Sequence, residues 1–182
     1  MRNKVMTFRK WLTIAKASKN VNDLDLKKFT RPQMVGDVDT PPNLEEMTLG
    51  QMVELQQCND GWKMFYEVCR VLLGMDEKEV EQAPATQVVR FVGWTIAEID
   101  KLNKLFQSFK PSYTSEQQKA GYAKLDFGVF GLIDWYAQRM RITDHEEAMN
   151  VPALRVYQCL KMDYEKQQCD ERLAKIYSEG RK

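Results

Sequence analysis

Asp144-His145-Glu146-Glu147 is the densest group of metal ligands or proton carriers in the chain. An imidazole beside carboxylates can bind zinc or relay protons. The spacing argues against both uses. Adjacent residues on a helix point in different directions, so the four cannot converge on one ion. His145 is also the single histidine of the sequence, so no second imidazole completes a site. The four cysteines, Cys58, Cys69, Cys159 and Cys169, contain no CxxC pair. They read as free, largely buried thiols in a reducing compartment rather than a zinc site or a disulfide framework. Asp134 sits among apolar residues, where a carboxylate can act as general acid or base. No second carboxylate or histidine falls at a spacing that pairs with it, and Arg139 or Arg141 offers it a salt bridge. No catalytic residue, metal ligand or cofactor is therefore expected.

The elements that carry these residues are helical. The chain has 182 residues, 43% of them hydrophobic, which is enough for one core. Charged residues make up 29% and the net charge is +1. That balance argues against a dedicated nucleic-acid binder, which carries a basic excess. Arg9 and Lys10 interrupt what would be the apolar stretch of a signal peptide, and no apolar run is long enough to span a bilayer. A soluble, intracellular protein is expected, with no membrane partner. The fold class is all-α, a multi-helix bundle of about six to seven helices with an extended N-terminal arm. The arm takes residues 1–46 and the helical domain residues 47–182.

Within the arm, residues 1–20 form a basic amphipathic helix. Phe8, Trp11, Leu12 and Ala15 line its apolar face, and Arg9 and Lys10 belong to its basic one. Phe8, Arg9, Lys10, Trp11 and Leu12 are the candidate partner-binding residues, by docking in a groove of another protein. The alternatives are an anionic-membrane helix, a phosphate-binding arm, or an apolar face that packs on this chain's own core. Residues 21–46, with Pro32, Pro41 and Pro42, read as an extended segment lying over a surface.

Thr48 to Gln51 is a capping box that starts a helix. Asn59-Asp60-Gly61 breaks it, and a second helix with Trp62, Phe65, Tyr66 and Cys69 on one face ends at Gly74. After Pro84 a long helix runs to Phe109, with Val88, Val92, Ile96, Ile99, Leu102, Phe106 and Phe109 on its stripe. This spacing marks the longest buried helix or the seam of a dimer. Ser115 can cap a short helix in a polar excursion. Val129, Phe130, Ile133, Tyr136, Ala137 and Met140 then make one apolar face. Thr143 to Glu146 reads as a second capping box, and Pro152 suits the first turn of a final long helix.

The last third carries a resemblance. Phe127-Gly128, Phe130 and Asp134, then Asp144 and Glu147 ahead of Pro152, then Val156-Tyr157 and Glu171-Arg172-Leu173, resemble the C-terminal part of tail-assembly-chaperone-like proteins of tailed bacteriophages. The resemblance implies a helical, non-enzymatic protein that binds other phage structural proteins, such as a tail-tube or tape-measure protein, during morphogenesis. Phe127, Gly128, Phe130, Asp134, Asp144, Pro152 and Tyr157 are its structural motif, and it brings no catalytic residues. It implies a place in the host cytoplasm during assembly and leaves retention in the virion, as a tail or connector component, and homo-oligomerisation open. The basic helix and the proline-rich segment lie outside the pattern. The competing reading is a nucleic-acid-binding regulator, with a helix-turn-helix over residues 143–168 that presents Ala153, Arg155 and Gln158. Asp144, Glu146 and Glu147 beside that face would repel phosphates.

Overall fold

A computed structural model describes residues 5–18, 24–109 and 113–179. The described residues form nine α-helices and one two-stranded hairpin. The all-α class holds, with more helices than the six to seven expected because three short ones are separate elements. The helices are α1 (Phe8–Ser18), α2 (Leu49–Gln57), α3 (Met64–Leu73), α4 (Glu77–Gln82), α5 (Ala85–Gln107), α6 (Ser115–Lys119), α7 (Gly128–Met140), α8 (His145–Met149) and α9 (Ala153–Glu179). Strands β1 (Met34–Val35) and β2 (Val38–Asp39) pair antiparallel between α1 and α2.

Local chemistry sets most of the boundaries. Thr48 caps α2 as expected: its hydroxyl accepts from Gln51 N at 3.1 Å, and Gln51 Oε1 accepts from Thr48 N at 3.0 Å. Asp76 and Glu79 make the same reciprocal cap on α4. Asp60 accepts from the amides of Trp62 and Lys63 and turns the chain into α3, which stops at the left-handed Gly74. On α6 the cap is Thr114, one residue before the expected Ser115, because Gln117 then falls at the position that reaches back.

The centre of the core is α5. Val88, Phe91, Val92 and Ile99 are buried, and Ile96, Leu102 and Phe106 pack beside them. At 23 residues it is shorter than α9, at 27, so the longest helix is not the most buried one. A single core draws on both sides of position 46: Phe8, Leu12, Val35 and Leu44 join Phe65, Val88 and Val92 in one cluster. The boundary expected at 46/47 therefore does not part the core.

The expected docking helix is committed inward. Phe8 is 0% and Leu12 7% exposed. Phe8 meets Phe65 at 5.5 Å and Tyr66 at 5.7 Å, and Trp11 meets Trp62 at 6.4 Å between ring centroids. Phe8 N donates to Ala83 O, and Ala85 N to Met6 O, so a short bridge ties the entry of α1 to the start of α5. Arg9 faces Glu81 at 3.7 Å, and Lys10 is exposed. Of the five residues read as partner-binding, the apolar ones thus serve this chain's own core. The reason is simple: the aromatic stripe of α3 offers a closer match than solvent.

From Leu24 the chain lies over a surface as expected, but it is not extended throughout: a 3-10 turn at Leu26–Lys28 precedes the hairpin, and the expected positions 21–23 lie outside the described residues. It crosses α5 at Gly93, where a Cβ would stand 2.1 Å from the Leu26 carbonyl oxygen. Arg90 holds it through Thr30, and Gln87 Oε1 accepts from Gly36 N at 2.9 Å. Arg31 and Thr40 close the base of the hairpin.

The cysteines correct one expectation. Only Cys69 is buried; Cys58 and Cys159 are half-buried and Cys169 is exposed. Burial pushes the Cys69 thiol up to about 12. A protonated thiol is a poor nucleophile. Alkylation of the native protein at about pH 8 is expected to label Cys169 first and to reach Cys69 only after unfolding. Mass spectrometry of the time course checks the order, and early labelling of Cys69 would contradict the placement of α3.

Candidate partner-binding surface

The residues that stand out are at the entry to α7. Its expected apolar face is split. Ile133, Tyr136 and Ala137 are buried, whereas Val129, Phe130 and Met140 are exposed. Leu125 and Phe127 just before the helix are exposed too, and Phe127 and Phe130 keep 68% and 63% of their surface in solvent. Two phenylalanines, a valine and a leucine in six positions make an apolar knuckle, and such clusters mark contact sites.

Two glycines shape it. Asp126 Oδ1 accepts from Gly128 N at 2.8 Å, and Gly128 takes φ +53°, a left-handed turn that opens the helix. Gly131 lies beneath Phe127: a Cβ there would stand 2.6 Å from the Phe127 Cβ. The missing side chain lets Phe127 fold back over the first turn.

The knuckle separates two grooves. One of about 530 Å³ lies between α2 and α7, with Val53, Ile133 and Met149 along it and Phe130 at its edge. The other, about 390 Å³, runs past Met52, Phe106 and Leu132 and shares Val129. Each is open, apolar at the base and rimmed by glutamines and asparagine, among them Gln57 and Asn150 in the first and Gln56 and Asn103 in the second.

On the far side of Phe130 lies the histidine. The Phe130 and His145 rings meet edge to face at 5.2 Å. His145 Nε2 is 3.5 Å from Asp134 Oδ1, and Asp134 Oδ2 accepts from Gln138 Nε2 at 2.6 Å. Asp134 was expected to pair with Arg139 or Arg141. Instead Arg139 reaches Asp163 on α9 with two bonds, at 3.0 and 3.1 Å. The sequence does not announce His145 as a partner of Asp134, because it lies eleven positions on, beyond a turn whose angle the residues do not set. Both side chains are about two-fifths exposed (41% and 42%), so the pair is solvent-screened. Among the described residues no hydroxyl or thiol hydrogen-bonds to His145, and no three His, Cys, Asp or Glu side chains gather as a metal site.

At α8 a single side-chain cap stands where the second capping box was expected. Asp144, not Thr143, caps α8, accepting from Glu146 N at 2.9 Å. The other motif residues part company with the surface. Pro152 bridges to Thr48, and Tyr157 packs on Phe106 and Phe109. Phe127, Gly128, Phe130, Asp134 and Asp144 thus gather around the knuckle, while Pro152 and Tyr157 hold α9 against the body.

The start of α9 packs by one face. Ala153 N donates to Met47 O at 2.9 Å, and Ala153 and Val156 are buried. Of the residues that a helix-turn-helix would present, Ala153 is thus turned inward, while Arg155 and Gln158 are exposed. Among the described residues no helix is long and apolar enough to cross a membrane.

No protein-family model matches the chain, and no curated protein sequence or solved structure matches it.

Proposed function

We propose that this chain is a non-enzymatic phage structural or morphogenesis protein, a tail assembly chaperone or a tail or connector component, that works by binding other tail proteins. The observation that carries the reading is the Phe127–Phe130 knuckle. The residues that resemble tail-assembly-chaperone-like proteins include the very aromatics that this chain leaves in solvent. Flanking open grooves with polar rims suit an extended or helical segment of a partner. A buried aromatic anchor is where such contacts concentrate their energy. Against the nucleic-acid reading stand the acids Asp144, Glu146 and Glu147 near the exposed Arg155 and Gln158, which would repel phosphates.

Co-expression with the tail-tube or tape-measure protein of the same phage tests this. Phe127→Ser together with Phe130→Ser is expected to weaken capture by about a hundredfold, with helicity unchanged because both side chains are exposed. Equal capture by the variant, or no capture of either partner by the native chain, would overturn it.

A further inference from the structure

A second exposed apolar stripe runs along α9, on a different face from the one that packs. Only Ala153 and Val156 of this helix are buried, and its aromatic contacts to Phe106 and Phe109 end at Tyr164. At about 3.6 residues per turn, Met162, Cys169, Leu173 and Ile176 fall on the face turned away from Val156. Cys169 is exposed, and Met162, Leu173 and Ile176 keep 62%, 46% and 64% of their surface in solvent. Their spacing is that of a heptad seam. Lys166 and Leu173 take one core position, and Met162, Cys169 and Ile176 take the other; Cys159, one turn earlier, packs on this chain's own core.

We propose that this stripe is the seam of an antiparallel homodimer, with a second copy of this chain as its occupant. Charge selects both the occupant and the direction. In a parallel pair Lys166 would face Lys166 of the second copy inside the seam, and Glu165 would face its Asp170, so like charges meet at each level. Reversing one helix removes both clashes. Lys166 then lies opposite Cys169 of the second copy, and Met162 opposite its Leu173. Glu165 lies beside Arg172 of the second copy, and the two-fold axis makes that ion pair twice. Asp163 comes near the second copy's Asp170, but the bidentate contact of Arg139 already neutralises it. Shifting the antiparallel register by one heptad sets Glu165 against Glu179 and Arg172 against itself in one sense, and Glu165 against itself in the other. The sequence of this one helix is therefore complementary to itself in a single orientation and register.

The seam spans about four turns, short for a two-stranded coil, and a dissociation constant on the order of 10 µM is expected. Light-scattering mass and sedimentation as a function of concentration read it directly. The native chain is expected to pass from monomer to dimer. Leu173→Glu with Ile176→Glu should raise the dissociation constant by about a hundredfold with unchanged circular dichroism. Glu165→Arg should weaken the dimer, and adding Arg172→Glu to it should restore association. Direction is read in a Cys169→Ser background: a Met162→Cys chain mixed with a Leu173→Cys chain should give the disulfide-linked heterodimer. A monomer at every concentration up to about a hundred micromolar would overturn the proposal. So would an oligomer whose mass ignores the Leu173 and Ile176 changes, or preferential cross-linking of Met162→Cys to itself. The outcome is independent of whether the Phe127–Phe130 knuckle binds a tail protein.

Discussion

Replacing Phe8 by alanine is expected to lower the unfolding free energy by about 4 kcal/mol. Phe8 is among the largest fully buried side chains and touches three aromatic rings, those of Trp11, Phe65 and Tyr66. Truncation removes its transfer free energy and leaves a cavity that Trp11 and Phe65 cannot collapse into, because each is held by Trp62. The backbone bridge to Ala83 remains, so α1 stays tethered while its face is emptied. A loss of this size corresponds to a fall in melting temperature of about 10 °C for a domain of this length. Urea unfolding measures it. A loss below about 1 kcal/mol would mean that α1 is not a core helix, and the docking role expected for Phe8, Trp11 and Leu12 would return.

Gly93→Ala is expected to destabilise by about 3 kcal/mol, opposite in sign to the usual gain from alanine in a helix. The new Cβ would meet the Leu26 carbonyl oxygen at 2.1 Å and carbon and a Phe29 ring carbon at 3.0 Å. Neither side yields cheaply. Gly93 is in the middle of the most buried helix, and the Leu26 backbone is pinned nearby by Arg90 on Thr30. The segment before the hairpin must therefore lift from α5. Limited proteolysis should then cut between residues 24 and 33 in the variant and spare the native chain. A neutral or stabilised variant would contradict the crossing at Gly93.

The parts of this fold written in local chemistry were legible from sequence. Thr48 with Gln51, Gly74 as a stop and the start of α5 after Pro84 each follow from one or two neighbouring residues. Ser115 and Thr143 missed by one position because an adjacent residue offered a better-placed acceptor. What depends on distant contacts was not legible. An apolar face on residues 8–15 announces that something covers it, and only the fold says that α3 does. Gly93 gave no signal at all, since one glycine inside a helical pattern looks like a cost until the crossing segment is seen. Asp134 and His145 meet through the angle between α7 and α8. The knuckle was misjudged in the other direction: periodicity put Val129 and Phe130 on the inward face, but the first turn of α7 projects past the helices that cover Ile133 and Tyr136. The resemblance named Phe127 and Phe130 without telling that they point into solvent.

Amide hydrogen exchange of the chain, alone and with a tail-tube or tape-measure protein as the proposed partner, is the decisive measurement. The account predicts new protection at residues 125–131 and along α2 from Gly50 to Gln57, where the knuckle and its larger groove lie. Protection confined to α1, or none at saturating partner, would contradict it.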